Sequence, residues 1–354
     1  MSQDDLKAKY TISKARELTH PRQLWQARYS PCGKLLCAAG YDGLIHRWDI
    51  SGDEPRALAP LAGHNGWVQC LACAGDCLFS ADSWGQLACW RYAEDSPSPR
   101  WKHDRAHAGW IRGLSISPDQ SLVASCGNDS VVRVWSTADG ALAHELPGDG
   151  GKVYSVCFHL QGESVVTGDA KGVIRDWNLK HKVVIRELDA SSLYRLDRIQ
   201  ECGGVRQLSF DAGGELLLAA GQKTPSGGFA TGMPAVLLFD WKTGKQTQEM
   251  QHGANDEGFV YDAQFHPAGF VMACASAFPG KGPFWFWQPG QPRPFYVGEG
   301  LTNGHSLSLH PQGGHLALLI DVSANGNGRQ LKDGKYAGGS AKIVFLKLEG
   351  PAEG

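Results

Sequence analysis

Apolar residues in this chain alternate with polar ones in short runs, and each run is broken by Gly, Asp, Asn or Pro. That alternation predicts half-buried β-strands joined by tight turns. The strands recur with a period. GLIHRWDI at Trp48, GQLACWRY at Trp90, SVVRVWST at Trp135 and GVIRDWNL at Trp177 align with one another. AVLLFDWK at Trp241, GPFWFWQP at Trp287 and AKIVFLKL at Phe345 continue the series. The marks are 42, 45, 42, 64, 46 and 58 residues apart, a four-stranded unit stretched twice by insertions. Between them recurs an apolar strand followed by a Gly- or Asp-rich turn, at Tyr29, Ile116, Phe158, Ser209, Phe265 and Leu309. Such turns need a residue at positive φ. The second unit, CAGDCLFS, lacks this form.

Seven units of strand, turn, strand, turn and Trp-ending strand resemble the WD40 family, from about Lys14 to Leu348. The resemblance implies an all-β, seven-bladed β-propeller of four-stranded antiparallel blades. It also implies a hydrogen-bonded set of His, Ser or Thr, Asp and Trp within a blade. His107, Ser125, Asp129 and Trp135 match the whole set in blade 3. Blade 1 has His20, Asp42 and Trp48, with Ala38 in place of Ser. Blade 2 has His64, Ser80 and Trp90, with Trp84 at the Asp position, and blades 4 to 6 put Asp149, Glu201 and Asp256 where the His would be. Each His falls on a different blade, so separate buried networks are expected rather than one metal or acid–base cluster.

The last unit ends on AKIVFLKL and is one strand short. Lys14-Ala-Arg-Glu-Leu18 precedes His20 as Arg56-Ala-Leu58 precedes His64, so residues near 12–18 are expected to supply the outer strand of blade 7. This closes the ring and removes an open edge. The expected organisation is a tail over 1–11, one propeller over 12–349 and a tail over 350–354.

Composition narrows the function. With 42% hydrophobic and 20% charged residues the chain reads as soluble, and twelve Trp with 45 Gly suit many short strands and turns. A net charge of −2 gives no field that would attract a phosphate backbone, so no nucleic acid is expected. No apolar run is long enough for a membrane span, and MSQDDLKAKYTISK is no secretory signal. Ten Cys without such a signal predict free thiols and a cytoplasmic setting. Cys70-x-x-Cys73-x-x-x-Cys77 lacks a second ligand pair, so these read as buried or turn thiols and no metal is expected. Pro225–Gly232 lacks the Lys-Ser/Thr of a phosphate loop. No cofactor is expected and no catalysis. A hydrolase or lyase reading would need His305, Asp262 and Asp256 to meet.

Binding has more support. In a propeller, the residue after the apolar opener of each inner strand faces the rim of the channel on the top face, and the resemblance implies that this position contacts partners. The seven are Trp25, Gln69, Arg112, Tyr154, Arg206, Tyr261 and His305. Aromatics and Arg are the types enriched in interface hot spots. Insertions at Ser191–Gly204, Gln222–Pro234, Ala277–Pro283 and Ser323–Ser340 all join strands at the same end, and Trp84 belongs to a turn there. Arg329, Lys332 and Lys335 in the last loop could receive an acidic group. The expectation is a scaffold, monomeric alone, that grips a protein or peptide on its top face. A small-molecule or carbohydrate-binding propeller is the alternative.

Overall fold

Each alternating run becomes a strand, and the strands pair in fours because one strand's apolar face is too small to bury itself. The computed structural model describes residues 5–7, 10–95, 98–148, 151–197, 200–223, 232–277, 280–322, 330–332, 335–337 and 339–349. Seven four-stranded antiparallel sheets follow one another along the chain. In blade 1 the strands, from the channel outward, are Leu24–Tyr29, Leu35–Gly40, Leu44–Asp49 and Arg56–Ala62. The inner strands of blades 2 to 7 are Val68–Ala74, Ile111–Ile116, Val153–Phe158, Gln207–Phe210, Phe259–Phe265 and Gly304–Leu309. Each packs on the next, and the last returns to the first.

Blade 7 is completed as the sequence implies. Thr11–His20 pairs antiparallel with Ala341–Glu349, bringing the two ends of the chain into one sheet. Arg16 locks this strand to blade 1, donating to the carbonyls of Ile50, Gly52 and Asp53 while its guanidinium lies 4.7 Å from the Phe345 ring centre. Ahead of the strand, Leu6 is buried against Phe270, Phe295 and Leu348.

Apolar side chains collect in seven layers, each between two neighbouring blades, and the Trp of the third strand faces the preceding blade. Register corrects two of the repeat marks. Trp48, Trp135 and Trp177 lie across from Leu36, Val123 and Val165. The residues in that place are Phe239 in blade 5, across from Leu217, and Leu346 in blade 7, across from Leu316. Trp241 falls beyond its strand, stacked on His159 and under Arg186, and Phe345 faces blade 1 instead. A Trp near a strand end marks the repeat in the sequence, but pairing and not the indole sets the register.

Turns follow the expected chemistry. Gly33, Gln120, Gly162, Gly214, Gly269 and Gly313 take positive φ between the first and second strands, and Gly75 does so in the divergent second unit. The three insertions between second and third strands (blades 5 to 7) and the hairpin Tyr194–Asp197 with Gln200–Gly203 all lie at the end of the ring where the inner strands begin.

Candidate functional site

Two kinds of polar construction converge on this top face. The first holds the loops. In blade 3, His107 contacts Asp129 through Nδ1 at 2.9 Å and Ser125 Oγ through Nε2 at 2.8 Å, and Trp135 Nε1 donates to the same Ser125 at 2.9 Å. Burial opposes the Asp129 charge. The His107 ring, the Ala108 N–H and Arg133 outweigh it, holding the carboxyl far below its ordinary value. Blade 2 has the same set, but not with Trp84. There Asp82 lies 3.2 Å from His64 Nδ1, while Ser80 Oγ meets His64 Nε2 at 2.6 Å and Trp90 Nε1 at 2.8 Å. Asp82 also accepts the N–H groups of Gly66, Trp84 and Gln86. A carboxylate at the strand end reaches the same backbone donors as one in the turn, so the Asp has two workable positions in the sequence. Blade 4 also uses the strand-end position: Asp169 accepts from Lys171 N, Val173 N and Arg175, and Trp177 donates to Thr167.

Blade 1 departs from the expectation. Without a Ser hydroxyl beneath it, His20 turns to the Arg22 backbone at 3.1 Å and packs tilted against His46, 4.1 Å between centroids. His46, not His20, meets the Asp42 carboxylate, at 3.1 Å. Glu201 and Asp256 are not substitutes for the His: Glu201 lies in the hairpin beside Tyr194, and Asp256 is an exposed partner of Lys281. Asp149 lies outside the described residues.

The second construction is the rim. In six blades the predicted rim residue is the one where the register of the inner strand shifts: Trp25, Gln69, Arg112, Tyr154, Tyr261 and His305. A bulge leaves one residue out of the ladder and re-aims its side chain. Arg206 stands just ahead of its strand and donates its N–H to Ala220 O. Gln69 is buried and stands outside the ring contacts described next. The other six join four aromatics that the rim pattern does not include: Tyr41, Trp67, Trp110 and Phe259. Together the ten form an unbroken circle. Trp25, Tyr41, Trp67 and Trp110 follow one another at 5.1–5.9 Å, edge to face except for the tilted pair of Tyr41 and Trp67. Arg112 lies 4.3 Å over Trp110 and 5.6 Å from Tyr154, and Arg206 lies 4.6 Å from Tyr154 and 4.5 Å from Phe259. Phe259 leads to Tyr261, Tyr261 stacks on His305 at 4.8 Å, and both return to Trp25. Trp67 and Trp110 precede their inner strands by one residue and Phe259 opens its own, while Tyr41 follows the second strand of blade 1. A search extended one residue upstream of the opener would therefore have found Trp67 and Trp110.

Burial tunes this circle. It pushes the Tyr261 hydroxyl's pKa up, against the pull of Arg206 and Arg112. It also pushes the His305 pKa down, against the pull of Asp321, and the His305 ring contacts Ser276 Oγ at 3.0 Å. Below the circle the inner strands of blades 1 to 5 line a cavity of about 280 Å³. Deeper, Arg28 crosses from blade 1 to Asp262 at 3.0 Å and to Ser306 and Leu307 O. Asp262, Asp256 and His305 are thus held by three different sets of partners, and the structure does not assemble them into one reacting group.

Trp84 is 66% exposed and borders a surface hollow shared with Arg105, His107 and Arg133. The side chains of Arg329, Lys332 and Lys335 lie outside the described residues. All ten cysteines are free thiols, and Cys70 and Cys77 are buried. Among the described residues no helix is long and apolar enough to cross a membrane.

Seven blades closed by the first strand, with His–Ser–Trp–Asp sets clamping the top-face turns, define a repeat propeller. A family model described as "WD domain, G-beta repeat" matches residues 13–49 and 101–136, so the chain carries WD40 repeats on a seven-bladed β-propeller. It is similar to the target of rapamycin complex subunit wat1 of Schizosaccharomyces pombe (strain 972 / ATCC 24843), 27% identical over 153 residues. That similarity covers 42% of this chain and 47% of the yeast protein, about half of its length.

Proposed function

We propose that the chain is a protein-interaction scaffold that grips a segment of a partner protein across the mouth of its channel, on the top face. The observation that carries this reading is the closed circle of aromatic and guanidinium side chains, half of them on bulged residues that the blade ladders do not use. Large, rigid side chains with polar edges are the anchors of protein interfaces. The similar yeast protein is by name a subunit of a complex, which supports a protein as the ligand.

The test is affinity capture from native lysate with rim and bottom-face variants. Truncating a central anchor typically weakens binding by more than about 2 kcal/mol, roughly thirtyfold. Arg206→Ala and Tyr261→Ala are expected to fold and lose the partner, while Gln161→Ala, in an exposed bottom-face turn, retains it. Full capture by the double rim variant, with loss in the bottom-face variant, would overturn the reading.

A further inference from the structure

The circle is not chemically uniform. Elsewhere in the molecule buried and half-buried guanidiniums are met by oxygens: Arg28 by Asp262, Arg133 by Asp129 and Glu145, Arg175 by Asp169 and Glu187, Arg186 by Asp176, and Arg47 by the carbonyls of Ala59, Tyr92 and Glu94. Arg112 and Arg206 differ. Among the described residues neither has a carboxylate partner; both lie against the Tyr154 ring, and Arg112 has only the Asn128 side-chain oxygen, at 3.0 Å. Arg206 Nε is out of solvent with no acceptor. Two like charges have therefore been brought to one side of the mouth without an anion. Burial and the neighbouring Arg206 charge both push Arg112 down from its ordinary value. On the opposite side stands a carboxylate, Asp321, which accepts from Gln23 at 3.0 Å.

Stacking on an aromatic ring occupies the face of a guanidinium and leaves its edge, with the N–H fork, free. An oxyanion in that plane takes two parallel N–H···O bonds. Resting on the top-face reading, we propose that the gripped segment is an acidic peptide, one of whose carboxylates is held by Arg112 and Arg206 beside Tyr154. The acidic end of the segment therefore lies over blades 3 to 5. A nucleic acid fits less well. Its grooves track many phosphates along a basic path, whereas among the described residues this mouth offers two cations without a carboxylate partner, on a chain of net charge −2.

The probes are a capped hexaglutamate peptide, capped hexaglutamine, inorganic phosphate and oligothymidylate, each titrated at up to millimolar concentration into the full chain. The readout is the ¹⁵N-resolved Nε–Hε signals of Arg112 and Arg206, assigned by their loss in Arg112→Gln and Arg206→Gln. Hexaglutamate is expected to shift both signals, and hexaglutamine neither. Each Gln variant should bind hexaglutamate at least tenfold more weakly. Arg206→Lys, which keeps the charge but not the fork, should fall between. Unchanged backbone spectra away from the mouth confirm that the variants fold. Silence to hexaglutamate, equal shifts with hexaglutamine, or tighter binding of phosphate or oligothymidylate would each overturn the proposal. If hexaglutamate is inert while Tyr261→Ala still loses the natural partner, the acidic ligand is wrong and the top-face reading stands. If the rim variants keep their partner, the top-face reading itself falls.

Discussion

Blades 2 and 3 solve with polar chemistry a problem that blade 6 solves with rings. Each must fix its third strand against its second and hold the turn between them. In blades 2 and 3, a Ser hydroxyl takes the indole N–H and a His bridges that Ser to an Asp, which gathers the turn's backbone donors. In blade 6, Phe270, Phe284, Phe286 and Phe295 interlock, Trp287 donates to Gln291 O, and the Trp285 N–H is buried without an acceptor. A hydrogen-bonded clamp fixes the turn itself, and in these blades the turns are short. Ring packing fixes only the strands, and in blade 6 the link from Ser276 to Phe284 is the longer one.

The comparison makes graded predictions. Removing a ring from blade 6 should have the largest effect. Phe286→Ala, at a fully buried site, is expected to cost about 3–5 kcal/mol in denaturant unfolding. A loss below about 1 kcal/mol would mean that rings do not carry that blade.

Next come the clamps. Asp82→Ala and Asp129→Ala should each cost about 1–3 kcal/mol, because the backbone and His donors stay buried without acceptors. The sign with pH follows from the depressed carboxyls. Their stabilisation is present above the ordinary Asp range near pH 4 and is lost as pH falls through the lower folded-state values. Acid titration of stability should therefore be shallower in Asp129→Asn than in the parent chain, and identical slopes would break the link between clamp and charge.

A matched pair sharpens the contrast at smaller scale. Trp135→Phe removes a satisfied N–H and Trp285→Phe an orphaned one. Both leave a similar gap, so calorimetry should find Trp135→Phe the more destabilising by about 1–3 kcal/mol. Equal effects would show that the indole bond adds nothing to the clamp. The smallest change is expected at Trp84→Ala, an exposed side chain on a clamped turn, whose stability should stay within about 0.5 kcal/mol of the parent.

The propeller, its blade count and its closure were legible because they rest on period-two alternation and on one missing strand, both local in the sequence. The rim was legible in part. Trp25, Arg112, Tyr154, Arg206, Tyr261 and His305 were found from their place after the strand opener, because a repeat puts equivalent residues at equivalent heights. Tyr41, which arrives from the turn between the second and third strands of blade 1, and Phe259, which opens its own strand, were hidden. Their contact with the rim depends on how neighbouring blades tilt. The clamps were misread where chemistry can be met from two positions. Asp82 and Asp169 reach the turn from the strand end, and His46 takes the acid that His20 was expected to hold. Pattern fixes which residues face inward; which of two nearby groups makes a bond is decided by packing.

The pairing of Thr11–His20 with Ala341–Glu349 also has a consequence in time. A ribosome adding about 5–20 residues per second makes the last strand roughly 15–70 s after the first. Throughout that interval the first strand waits with its ladder groups unused. Its sequence suits the wait. Lys14, Arg16 and Glu17 place charge along an otherwise sticky edge, which discourages pairing with strangers. Once the proper mate arrives, Lys342 of that mate pairs with Glu17, and Arg16 reaches across to blade 1. The charges that guard the strand while it is unpaired become the contacts that hold the ring shut.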